Sequence, residues 1–147
     1  MDAHNLTASG IIRFAGELED LTKQFYEELA ASCAEHRATF SAFAKDSQKH
    51  KTWVARTYQE TITDALEACY CFDGLDLGQY ALGAEVKGTI SAAAAVKMAI
   101  DVEERAVAFY SEVARRSTSL LATIATAFAR VAKARSARRR QLEALLR

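Results

Sequence analysis

This chain contains no proline and only six glycines, so little along its length would interrupt a helix. It has three cysteines, an odd number, and no Cys-x-x-Cys pair, which argues against a disulfide framework and favours the reducing cytoplasm. No apolar run reaches the roughly 18 residues of a membrane-spanning helix, and the first residues lack the pattern of a signal peptide. Nineteen basic residues balance nineteen acidic ones, so net charge does not predict nucleic acid or a membrane as a partner.

What the chain has in abundance is helix-forming sequence. Half of its 147 residues are hydrophobic, and long stretches consist of Ala, Leu, Glu, Lys and Arg. The length suits one domain with a substantial core. We therefore predict a single all-α domain over residues 1–147.

Apolar residues recur every three to four positions in four segments, approximately 8–33, 36–69, 90–116 and 118–146. Between the second and third segments, residues 70–90 lose this period and contain glycines. The pattern predicts two αα-hairpins joined by a long crossover. In the third segment, the expected inward face is formed by Val96, Ala99, Ile100, Glu103, Ala106, Val107, Tyr110 and Val113.

Two glutamates lie at the centre of apolar helical stripes. Glu19 is followed seven residues later by Tyr26, and Glu103 is followed at the same spacing by Tyr110, an offset of 84 residues. A buried carboxylate needs a cation, a hydrogen-bond donor or a proton. We expect the tyrosine hydroxyls to bond to a neighbouring carboxylate.

The second and fourth segments also match. Phe40-x-x-Phe43-Ala44-Lys45 recurs as Phe128-x-x-Val131-Ala132-Lys133, offset by 88 residues. A duplication of this length predicts two hairpins related by a pseudo-twofold axis.

On these residues the chain resembles the rubrerythrin/ferritin-like superfamily. The resemblance is carried by Glu19…Phe25-Tyr26, Phe40…His50, the Phe72-Asp73-Gly74-Leu75-Asp76 crossover and Glu103…Phe109-Tyr110. It implies a ferritin-like antiparallel four-helix bundle around a di-iron carboxylate site. In that superfamily, helices one and three each give a Glu, and helices two and four each give Glu-x-x-His.

The metal site that the resemblance implies is only half present. Glu19, His50 and Glu103 match expected ligands, but the Glu of helix two falls on Ser47. The Glu and His of helix four fall on Arg135 and Arg138, and guanidiniums cannot ligate iron. The resemblance therefore implies a degenerate di-iron site.

The substitutions suggest a replacement for the metal. A guanidinium can hold two carboxylates, so we predict a buried charge cluster of Glu19, Glu103, Arg135 and Arg138, which His50 could complete. The alternative is a single-ion site for iron or another divalent metal, formed by Glu19, His50 and Glu103 with Asp46.

The expected function depends on whether the chain contains the buried charge cluster or the single-ion site. The main expectation is a non-enzymatic binding or scaffold protein, without catalytic residues or cofactor, forming a homodimer through its Ala-rich third helix or binding another protein. The alternative is a metal-binding oxidoreductase or peroxide scavenger that uses the remaining ligands. A third hypothesis is partner binding through the basic fourth helix; its arginines lack interleaved aromatics, so nucleic acid is not expected.

Overall fold

The computed structural model describes residues 7–61, 72, 74–83, 86, 88–117 and 122–146. Within those residues the chain forms four α-helices and no strand, which confirms the all-α class. The helices are α1 (Ala8–Ser32), α2 (Arg37–Thr61), α3 (Ala92–Ser117) and α4 (Ala122–Leu145). Single 3₁₀ turns follow α1 at Ala34–His36 and lie in the crossover at Leu77–Tyr80. The predicted extension of α2 to residue 69, and with it Cys69 and Cys71, lies outside the described residues.

Local sequence explains where the helices begin and end. The Thr7 side chain caps α1 by accepting a hydrogen bond from the Gly10 N–H at 3.1 Å, and Ser91 does the same for Ala94 at 3.2 Å before α3. After α1, the backbone of Cys33 is extended, and the Arg37 side chain donates a hydrogen bond to the Ala30 carbonyl at 2.8 Å. These contacts satisfy backbone groups that have no partner inside the helix.

The helices pack as two hairpins, α1 with α2 and α3 with α4, and these join through α2–α4 and α1–α3 contacts. Along α1, Glu19 meets Tyr110 and Tyr26 meets Glu103, so α1 and α3 run in opposite directions. Because the short turn after α1 makes α2 antiparallel to α1, helices α2 and α3 run in the same direction. The four helices therefore form a bundle with one long connection.

The second pair shows the same relationship. Phe43 meets Arg138, and Trp53 meets Arg130, so α2 and α4 also run in opposite directions. Each helix of one hairpin thus faces an antiparallel helix of the other.

The core is divided into two apolar halves by a polar layer. One apolar cluster includes Leu18 and Val54, and the other includes Phe25 and Leu142. Of the nine buried polar side chains in the described part of the chain, seven lie between the two clusters along the helices: Glu19, Thr22, Ser47, His50, Glu103, Arg135 and Arg138. The layer therefore crosses the middle of the bundle.

The inward face of α3 is shifted slightly from the predicted one, although Ile100 still packs against the core. Ile100 and Val107 are half-buried, whereas Val102 and Phe109 are fully buried. The Phe109 ring lies 5.0 Å from that of Phe14 on α1 and 5.9 Å from that of Phe128 on α4. It also lies 5.6 Å from the ring of Tyr80 in the Leu77–Tyr80 turn. The crossover therefore contributes to the burial of Phe109 together with α1 and α4.

Candidate functional site

Arg135 connects the two glutamates at the centre of the polar layer. Its Nε donates to Glu103 Oε1 at 2.7 Å and its Nη2 to Glu103 Oε2 at 3.2 Å, in a two-pronged contact. Its Nη1 donates to Glu19 Oε2 at 2.5 Å. All three side chains have no measurable exposure. One guanidinium therefore holds carboxylates from α1 and α3.

Arg138 adds a second cation one turn further along α4. Its Nη1 donates to Glu103 Oε2 and to Ser47 Oγ, both at 3.3 Å, and its Nη2 donates to the Phe43 carbonyl at 3.2 Å. The guanidinium carbon also lies 4.9 Å from the centre of the Phe43 ring and 5.4 Å from that of Tyr26. Arg138 thus ties α4 to α2 as well as to α3, and two guanidinium charges balance two carboxylates.

The tyrosines and His50 complete the layer. The Tyr26 hydroxyl donates to Glu103 Oε2 at 2.5 Å, and the Tyr110 hydroxyl donates to Glu19 Oε2 at 2.6 Å, as the repeated spacing predicts. His50 Nδ1 lies 3.3 Å from Glu19 Oε1. Every oxygen of both carboxylates therefore has a partner within hydrogen-bonding distance.

The protonation of the layer follows from these contacts. Burial raises the pKa of Glu19, but Arg135, His50 and Tyr110 together bring that pKa down to about 2. Burial likewise opposes ionisation of Glu103, and Arg135 and Arg138 outweigh it, so the Glu103 pKa is also lowered. Burial and the adjacent carboxylates hold the pKa of Tyr26 and of Tyr110 well above its ordinary value. Near neutral pH the layer contains two carboxylates and two protonated phenols.

This donor set does not fit the di-iron centre that the resemblance implies. Arg135 lies between the two glutamates, and Ser47 and Arg138 stand at two further ligand positions. A cation placed there would meet two guanidinium charges and carboxylates that already accept hydrogen bonds. Across the described part of the chain, no three His, Cys, Asp or Glu side chains are grouped to hold a metal ion.

Asp46 is not brought to this layer. Its side chain is 49% exposed, and its Oδ1 lies 3.8 Å from Lys49 Nζ. Ser47 takes the inward position, and Asp46, rotated by about 100° around the helix, lies at the edge. The four-residue spacing from Asp46 to His50 was therefore not enough to place both side chains at one ion.

Two features of the layer were missed from the sequence. Thr22, three residues after Glu19, belongs to the layer because Arg135 Nη2 donates to its Oγ1 at 3.2 Å. Ser47, which stands where the resemblance implies a Glu ligand, instead accepts a hydrogen bond from Arg138 Nη1. Ser47 and Arg135 occupy matched positions of the repeat, so the sequence indicates that the two halves differ at this point. It does not indicate which residues the Arg135 side chain contacts.

The basic run of α4 is divided between core and surface. Arg135 and Arg138 are buried, and Arg139 forms ion pairs with Glu143 at 2.7 Å and Glu104 at 3.7 Å. Fewer positive side chains therefore face solvent than the sequence suggests. None of the described helices is long and apolar enough to cross a membrane.

No known family, curated protein or solved structure gives a significant match to this chain.

Proposed function

We propose that this chain is a ferritin-like four-helix bundle in which an arginine takes the place of the metal centre. In this proposal it works without metal, as a binding or scaffold protein rather than as an oxidoreductase. The observation that carries the proposal is the Arg135 guanidinium, which donates to Glu19 and Glu103 from a fully buried position.

The helix directions support the ferritin-like part of the proposal. Helices α2 and α3 run in the same direction, so the connection between the hairpins must span the length of the bundle, as in ferritin-like folds. The reciprocal Tyr26–Glu103 and Tyr110–Glu19 bonds agree with a pseudo-twofold relation between the hairpins.

The burial and the mutual hydrogen bonds of the polar layer support a non-catalytic role. The side chains of Glu19, His50, Glu103, Arg135 and Arg138 are at most 4% exposed. A general acid or base must come within hydrogen-bonding reach of its substrate, and these groups are instead bonded to one another. The layer therefore favours a fixed core over a catalytic centre.

Iron loading tests the proposal. The purified chain would be incubated anaerobically with Fe(II), desalted and analysed for metal. A Ser47→Glu, Arg135→Glu, Arg138→His variant, which restores the ligand pattern of the superfamily, is the positive control. We expect no retained iron in the unchanged chain and iron in the variant.

Two outcomes would contradict the metal-free proposal. Two irons per unchanged chain, lost in Glu103→Ala, would favour the oxidoreductase hypothesis. One ion per chain, lost in Asp46→Ala, would favour the single-ion site. The homodimer remains a separate prediction, which sedimentation equilibrium of the unchanged chain tests.

A further inference from the structure

A groove of about 450 Å³ lies on the surface between α2 and α4. Its lining includes Trp53, Arg56 and Thr57 from α2 and Thr123, Thr126 and Arg130 from α4. On each helix these positions share one face. The volume falls within the range of small-molecule sites.

The groove has two positive groups and no described acidic residue in its lining. Arg56 and Arg130 are both exposed, and neither forms an ion pair with a residue that the structure describes. Thr123 lies in the first turn of α4, which carries no acidic residue, so the helix N-terminus adds to the positive potential. An anion is the ligand that this charge distribution attracts.

Arg130 is held in place by Trp53. The Arg130 guanidinium carbon lies 3.6 Å from the centre of the indole ring, within the range of a cation–π contact. The indole is itself partly buried against the apolar core. A guanidinium fixed in this way loses less freedom when it binds an anion than a mobile one does.

We propose that the α2–α4 groove binds a small phosphate-bearing molecule through Arg56 and Arg130. Guanidiniums match the oxygens of a phosphate. Thr123 and Thr126, which are exposed residues in the lining, carry hydroxyls that can act as neutral donors. A nucleic-acid site has a basic stripe with interleaved aromatic residues. Two arginines in a groove do not form such a stripe. The proposal rests on the binding role proposed above, because it names a ligand for that role.

The chain contains a built-in reporter, since Trp53 is its only tryptophan. The full chain would be titrated with pyrophosphate, with sodium chloride keeping the ionic strength constant, while tryptophan fluorescence is recorded. We expect a saturable change, and Arg56→Gln should weaken the binding about tenfold or more. Arg56 is the residue to change, because replacing Arg130 would itself alter the surroundings of the indole.

Arg140→Gln is the matched control, because Arg140 is an exposed arginine of α4, ten residues after Arg130. It should bind pyrophosphate as the unchanged chain does. Sedimentation with phosphatidic acid vesicles, against phosphatidylcholine vesicles, distinguishes a lipid headgroup from a free phosphate compound. Binding that Arg56→Gln weakens in either assay would support the phosphate site and identify its source.

The proposal would be overturned if neither pyrophosphate nor the phosphatidic acid vesicles bound, or if Arg56→Gln and Arg140→Gln behaved alike. Its failure can be told apart from failure of the metal-free function. Iron retention would contradict the metal-free function and leave the fluorescence titration unaffected, because the groove residues are not those of the buried layer.

Discussion

Tyr26 on α1 donates a hydrogen bond of 2.5 Å to Glu103 on α3, across the middle of the bundle. The same contact recurs in the opposite sense, from Tyr110 to Glu19 at 2.6 Å. Both pairs occupy equivalent places in the predicted repeat, so the two bonds agree with a pseudo-twofold relation between the hairpins. The symmetry ends at α4, where Arg135 and Arg138 stand at the positions of Ser47 and His50.

Removing either tyrosine hydroxyl should destabilise the fold. Tyr26→Phe or Tyr110→Phe leaves a buried carboxylate with one donor fewer, so each should lower the free energy of unfolding by about 1–3 kcal/mol. Urea denaturation followed by circular dichroism measures this. Tyr80→Phe is the control, because the Tyr80 hydroxyl makes no hydrogen bond with a described residue. Equal stability of all three variants would contradict a structural role for the two bonds.

Acid should destabilise the protein through Glu19. Its pKa is about 2 in the folded chain, against an ordinary value of 4.5, so the unfolded chain takes up the proton first as pH falls. The contribution of Glu19 to the free energy of unfolding is therefore complete above about pH 4.5 and is lost as pH falls towards 2. Urea unfolding at several pH values should show a shallower acid dependence in Glu19→Gln. Parallel curves for the two chains would contradict this account.

An alkaline titration should separate the phenols of Tyr26 and Tyr110 from those of less buried tyrosines. Because burial and the adjacent carboxylates raise the pKa of Tyr26 and of Tyr110, these phenols should remain protonated until the chain unfolds. Ultraviolet absorbance records phenolate formation during an alkaline titration. The Tyr26→Phe, Tyr110→Phe variant should lose the phenolate signal that accompanies unfolding of the unchanged chain. Retention of that signal in the variant would place its origin in other tyrosines.

Much of the polar layer could be predicted because burial and repetition act together. Glu19 and Glu103 lie at matched positions on apolar stripes, and few arrangements satisfy a carboxylate on such a stripe. Arg135 was expected to neutralise them because it also lies on an inward face. The periodicity of a single helix was enough to indicate these orientations.

What the sequence could not indicate depends on contacts between distant segments. Phe109 is buried partly because Tyr80 of the crossover packs on it, and no local pattern in α3 reports that contact. Trp53 and Arg130 meet because α2 and α4 are antiparallel neighbours, so their stacking depends on the relative register of two helices. Helical spacing alone also misplaced Asp46, which lies at the edge of the inward face.

The most direct test of the central claim is the free energy of unfolding of Arg135→Met, measured with a chelator present so that no metal contributes. Arg140→Met, at an exposed position of the same helix, is the control and should change stability by less than about 0.5 kcal/mol. We expect Arg135→Met to lose about 3–5 kcal/mol, because it leaves two buried carboxylates without their shared cation. Adding Glu19→Gln and Glu103→Gln to Arg135→Met removes the unpaired carboxylates and should recover part of that loss. We expect this recovery even if Arg135→Met alone fails to fold. An Arg135→Met chain as stable as Arg140→Met would contradict the claim that arginine has replaced the metal.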